Sequence, residues 1–142
     1  VLALSASVSQ QTKFSEYALS QYNGLTGGLA GATATGFERQ YYDVAFRGLV
    51  AYLNENAPPN TQVHFLPNNW EYVRTYKWYH RAKELRDDVR VTRNQGAARW
   101  VILTHERRFT RYGQDMLQLE GKKVVYEHRV DGVPLWTIIE NR

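Results

Sequence analysis

The run Thr61-Gln62-Val63-His64-Phe65-Leu66, closed by Pro67-Asn68-Asn69, reads as a short strand that stops abruptly before a helix. The helix is expected from about Trp70 to Leu85, with Asn68 and Glu71 at capping-box spacing at its start. Val89-Arg90-Val91-Thr92 then reads as a second short strand and Arg93-Asn94-Gln95-Gly96 as a turn. Arg99-Trp100-Val101-Ile102-Leu103-Thr104 is the most apolar strand candidate, so it is expected at the centre of the sheet. A strand, a helix and a strand in succession imply parallel pairing, because the helix provides the crossover that parallel neighbours need.

Working outward, Tyr42, Phe46, Leu49, Val50 and Leu53 recur at helical spacing, and Ala57-Pro58-Pro59-Asn60 ends that helix. On the other side a helix is expected over roughly Arg108 to Leu119, with Gly121 as its stop. Lys123–Val130 and Val133–Ile139 flank Asp131-Gly132, a strong signal for a two-residue type I′ turn. That hairpin would pair Val130 with Val133, His128 with Leu135 and Tyr126 with Thr137. The fold class is therefore α/β, with a mixed, partly parallel sheet, packed helices and a C-terminal β-hairpin. Residues 1–36, poor in charge and rich in Gly, Ala, Ser and Thr, read as an irregular or partly helical arm, and residues 37–142 as one α/β domain.

The 142 residues suffice for a core without staples, and the absence of cysteine removes disulfides and thiolate metal sites. Charge is uneven: residues 74–111 carry eleven Lys/Arg against four acids, while the flanks are slightly acidic. Such a block suits nucleic acid, anionic lipid or a phosphate-bearing ligand, or it merely solvates a helix face. Tyr17 to Gly36 has no charge over a membrane-spanning length, but its polar residues and glycines are wrong for a bilayer.

Few residues suggest chemistry. The glycine-rich stretch from Gly24 to Gly36 follows no strand and lacks both G-x-G-x-x-G and a closing Lys, which argues against a phosphate loop. It reads instead as an arm lying close on another surface. His64, His80, His105 and His128 are too far apart for a helical metal pair and read as structural. Asp87-Asp88 sits between Arg86 and Arg90, so salt bridging is expected rather than metal binding. No nucleophile motif exists, and no catalytic, cofactor-binding or metal-ligating residue is assigned. The expected contact surface is Trp70, Arg74, Lys77, Trp78 and Arg81 on one helix. Interleaved rings and cations suit a membrane interface or single-stranded nucleic acid, and part of the aromatic set, with Val73, Tyr76 and His80 on one face, must be core.

Four segments resemble, in order, a region of bacterial integral-membrane glycosyltransferases of the GT-C class, similar to dolichyl-phosphate-mannose–protein mannosyltransferases. They are Tyr22 to Ala32 with Phe37-Glu38 and Tyr41-Tyr42; Tyr52-Leu53-Asn54-Glu55-Asn56-Ala57-Pro58-Pro59; Arg99 to Leu103; and Tyr126 to Leu135. Gln40 departs from the family, which often has an acid before the aromatic pair. The resemblance implies the extracytoplasmic (periplasmic) C-terminal domain of a bacterial inner-membrane enzyme that uses a polyprenyl-phosphate-linked sugar donor. It implies that residues 1–36 follow a membrane helix. The family's catalytic carboxylates lie in loops this chain lacks, so the domain is expected to be non-catalytic by itself and to cap the active site or assist substrate access. The implied partners are the membrane portion of the same parent chain and a lipid-linked sugar phosphate or anionic lipid, with no nucleic acid. The alternative is a free-standing module for anionic ligands or nucleic acid that uses the block 74–111.

Overall fold

The computed structural model describes residues 22, 24–39, 46–67, 69–109 and 111–141. After a 3-10 turn at Gly24–Thr26 come α1 (Gly28–Ala34), α2 (Phe46–Asn56), β1 (Gln62–Leu66), α3 (Asn69–Arg81) and β2 (Arg90–Val91). A second 3-10 turn, Gln95–Ala97, leads to β3 (Trp100–Leu103), α4 (Tyr112–Leu119), β4 (Val124–Val130) and β5 (Val133–Glu140). The strands form one sheet in the order β2-β1-β3-β5-β4. β1 runs parallel to β2 and β3, whereas β3 pairs antiparallel with β5, and β5 with β4. The expected mixed α/β sheet is present, and β3 lies at its centre.

Alternation along the strands sends side chains to two faces. Val63, Phe65, Trp100, Ile102, Trp136 and Ile138 meet Leu29 of α1, Leu49 and Leu53 of α2, and Tyr72 and Tyr76 of α3 in the main core. Leu66, Val101, Leu103 and Ile139 meet Leu119 of α4 in a smaller cluster on the opposite face. Both faces of β3 are thus covered, which is why it reads as an unbroken apolar run, and in β1 the same covering buries every residue but Gln62, the polar His64 included. Leu29 and Ala32 are fully buried, so the glycine-rich arm contributes to the core.

Three boundaries differ from the sequence-based expectation. The helix expected to reach Leu85 ends at Arg81, because Lys83 takes φ 61°. There the amides of Lys83 and Glu84 donate to the carbonyls of His80 and Tyr79, a Schellman closure built on a non-glycine residue. The helix expected from Arg108 begins at Tyr112, because the amides of Arg107 and Arg108 are bound by the Glu38 carboxylate. The hairpin keeps the Val130–Val133 pair but then slips by one residue: His128 faces Trp136 and Tyr126 faces Ile138, not Leu135 and Thr137. The irregularity follows Pro134, which has no N–H for the ladder. It lets the consecutive residues Leu135 and Trp136 both enter the core, which regular alternation forbids. Tyr42 and Asn68, used in the helix and cap readings, lie outside the described residues.

Candidate functional site

On α3, Tyr72 and Tyr76 turn inward, and the Tyr72 ring stacks on Phe65 at 4.1 Å between centroids. The five residues expected to form a contact surface are therefore left on the outer face. Trp70, Arg74, Lys77, Trp78 and Arg81 are all exposed and follow one another at helical spacings that place them in one stripe. Trp70 and Trp78 are 56% and 68% accessible, which is high for the largest apolar side chain. The Arg74 guanidinium lies 5.9 Å from the Trp70 ring centroid and the Arg81 guanidinium 5.5 Å from that of Trp78, both within cation–π range. The stripe presents two aromatic–cation units with Lys77 between them. A cleft of about 440 Å³ beside it, lined by Val73, Lys77, His80, Asp87, Arg90 and Val91, separates α3 from β2.

A second polar centre lies where the chain leaves β3, among residues that the sequence reading left without a role. Thr104, His105 and Glu106 are all buried. The Glu106 carboxylate accepts from the Tyr72 hydroxyl at 3.1 Å and the Thr104 hydroxyl at 3.3 Å, and pairs with Arg108 at 2.7 Å. His105 adopts φ 54°, which places its ring between Tyr112 and Thr137. The Thr137 hydroxyl donates to Glu127 at 3.4 Å, so it accepts from His105 Nε2–H at 2.8 Å. That leaves Nδ1 to accept the Tyr112 hydroxyl proton at 2.9 Å, the arrangement of a neutral imidazole. Burial, reinforced by Arg39, Arg107 and Arg129, lowers the His105 pKa to about 3, in agreement with that assignment. Both ring nitrogens are engaged, which links Tyr112, His105, Thr137 and Glu127 in one hydrogen-bonded chain. It borders an apolar cleft of about 470 Å³ between α4 and the hairpin, lined by Leu103, Met116, Leu119, Val124 and Ile139.

Glu38, two residues past the glycine-rich arm, closes this centre. It is 8% accessible, and its two carboxylate oxygens accept from the amides of Arg107 at 3.0 Å and Arg108 at 2.6 Å. The Arg39 amide adds a bond of 3.1 Å, and the Arg39 side chain reaches the Pro134 carbonyl at 3.3 Å while its buried Nε–H has no partner among the described residues. On α4, Asp115 is 1% accessible with neither carboxylate oxygen hydrogen-bonded among the described residues, and desolvation raises its pKa against the opposing pull of Arg111 and His64.

The remaining sequence candidates take structural places. Asp88 pairs with Arg86 at 2.7 Å, as expected, and that bond together with the Asn60 amide draws its pKa down to about 2. Asp87 pairs with Lys83 at 3.5 Å rather than with Arg90. His128 stacks on Trp136 at 5.1 Å. No grouping of metal-binding side chains occurs among the described residues. The basic block is divided: Arg86 is spent on the carbonyls of Asn54 and Ala57, Arg107 and Arg108 belong to the centre after β3, and the α3 cations face outward. The polar centre was hidden from sequence reading because its members come from five separated stretches, around residues 38, 72, 104–112, 127 and 137. Its only local sign was the polar run Thr104-His105-Glu106 after the most apolar strand. No family model, curated protein or solved structure matches the chain.

Proposed function

We propose that the chain is a non-catalytic, extracytoplasmic domain of a membrane glycosyltransferase that uses a polyprenyl-phosphate-linked sugar, and that α3 is its face toward the anionic membrane surface. The enzyme class rests on the four ordered segments that resemble GT-C enzymes. The orientation is carried by the exposed stripe Trp70, Arg74, Lys77, Trp78 and Arg81. Exposed indoles carry a large desolvation gain that is released at the headgroup level of a bilayer. Each basic side chain near an anionic leaflet contributes about 1 kcal/mol. Stacking on the indoles holds Arg74 and Arg81 beside the rings, so ring and charge reach the surface together.

The test is binding to vesicles with and without anionic lipid at physiological salt, run beside a single-stranded oligonucleotide. Wild-type chain should bind the anionic vesicles and bind the oligonucleotide more weakly. Replacing Trp70 and Trp78 by Ala should weaken vesicle binding at least tenfold while leaving the melting transition nearly unchanged, because both rings are outside the core. Oligonucleotide binding without vesicle binding would overturn the membrane orientation and favour the free-standing nucleic-acid module. Sugar transfer by the isolated chain from a lipid-linked donor would overturn the non-catalytic assignment.

A further inference from the structure

We propose that the turn after β3 is a binding site for a phosphate-class oxyanion, and that the Glu38 carboxylate occupies it as a built-in competitor. Successive backbone amides of Arg107 and Arg108 each donate to a different oxygen of Glu38, and the amide of Arg39 donates a third bond. Convergent main-chain N–H groups form the kind of concavity that binds a tetrahedral anion as readily as a carboxylate. The turn also lies at the C-terminal end of a strand in the parallel part of the sheet, where open α/β sheets hold their ligands.

The surrounding charges favour an anion carrying more charge than Glu38. Arg108 is committed to Glu106 and Arg129 to Glu127. Arg39 and Arg107 make no ion pair shown among the described residues. Their guanidinium groups donate to the carbonyls of Pro134 and Thr33, each at the long distance of 3.3 Å. Arg39 also retains a buried Nε–H with no acceptor among the described residues. Arg39 lies in the field of Glu38 and also of Glu127, which is itself paired with Arg129, so among these described groups four guanidinium groups meet three carboxylates, and Tyr112 interacts with Glu38, Arg39 and Arg107. A phosphate monoester, with nearly two negative charges and three terminal acceptor oxygens where the carboxylate has two, would match both arginines and the three amides. The Tyr22 hydroxyl donates to the Glu38 carbonyl at 2.5 Å, which fixes the backbone here, so ligand entry needs only the Glu38 side chain to swing out while Arg39 stays in place.

The experiment is a titration of the 142-residue chain with inorganic phosphate, followed through the backbone amide resonances of Arg39, Arg107 and Arg108, with chloride at equal ionic strength as the control. In the wild type these amides should shift only at high phosphate. In Glu38→Gln the apparent affinity should rise about tenfold, the factor expected if the carboxylate holds the site roughly nine-tenths of the time. Adding Arg39→Ala or Arg107→Ala to that variant should return the affinity to the wild-type level or below. If the Glu38→Gln chain is folded and its three amides ignore phosphate, the proposal fails and Glu38 is only a fastener for the arm. Should Glu38→Gln fail to fold, the wild-type titration decides alone, since amides that respond no more to phosphate than to chloride exclude the site. Vesicles carrying phosphatidic acid form the second arm. Competition with dissolved phosphate at these amides identifies a lipid headgroup as the source, and phosphate binding without such competition identifies a free phosphate ester.

Discussion

His105 concentrates the cost of the polar centre in one residue. It holds a left-handed backbone, is buried, and keeps its ring neutral among three arginines. The folded-state pKa of about 3 lies below the ordinary value of 6.5, so between those values the unfolded chain binds the extra proton. Stability therefore falls as pH falls from about 6.5 toward 3, with a slope from this group of at most about 1.4 kcal/mol per pH unit. Asn tolerates a positive φ better than most residues and does not titrate. We expect His105→Asn to cost about 1–3 kcal/mol at neutral pH through lost buried hydrogen bonds, and to flatten the acid limb between pH 6.5 and 4. His64, also shifted downward by burial, contributes a slope of the same sign in both proteins. Urea denaturation at a series of pH values measures the effect, and parallel curves for the two proteins would show that His105 is not held neutral.

Among the elements, the β4–β5 hairpin shows what local chemistry does and does not specify. Asp131 and Gly132 take φ 51° and 76°, as a type I′ turn requires. A Cβ on Gly132 would meet nothing within 4 Å, so any cost of substitution is backbone strain alone. Gly132→Val should destabilise the fold by about 1–3 kcal/mol and Gly132→Asn by clearly less, a difference that thermal melting resolves. The turn was legible in the sequence because two adjacent residues carry it. The register two residues away was not, because the shift lets Leu135 and Trp136 share a core assembled from α1, α2 and α3. The same division runs through the helices. The stripe on α3 follows from spacing within one helix, and the structure leaves all five of its residues outward. The late start of α4 depends on a carboxylate some seventy positions earlier, at Glu38, and no periodicity near Arg108 announces it.

For the whole molecule, the question is whether the glycine-rich arm is an attachment or part of the cooperative fold. Leu29 is completely buried in the cluster that also holds Trp100, Trp136 and Tyr76, and α1 rests against β5. The arm can come this close because of its composition: a Cβ on Gly31 would lie 2.0 Å from the Thr26 carbonyl oxygen, inside any allowed contact. Gly31 thus lets the 3-10 turn fold back on α1, and α1 delivers Leu29 to the core. An arm that merely lay on the surface would unfold separately and leave the main transition unmoved. An arm that completes the core must shift that transition when its anchor is cut back. Leu29→Ala should therefore cost about 2–5 kcal/mol, the range for deleting a fully buried leucine, and Gly31→Ala should destabilise the same transition by separating α1 from the turn. Tryptophan fluorescence and far-UV circular dichroism should report one coincident, displaced denaturation curve for each variant. An early, separate loss of helix signal with the tryptophan transition in its original place would instead make the arm an independent attachment, and its Glu38 contact would then be a local latch rather than an extension of the core.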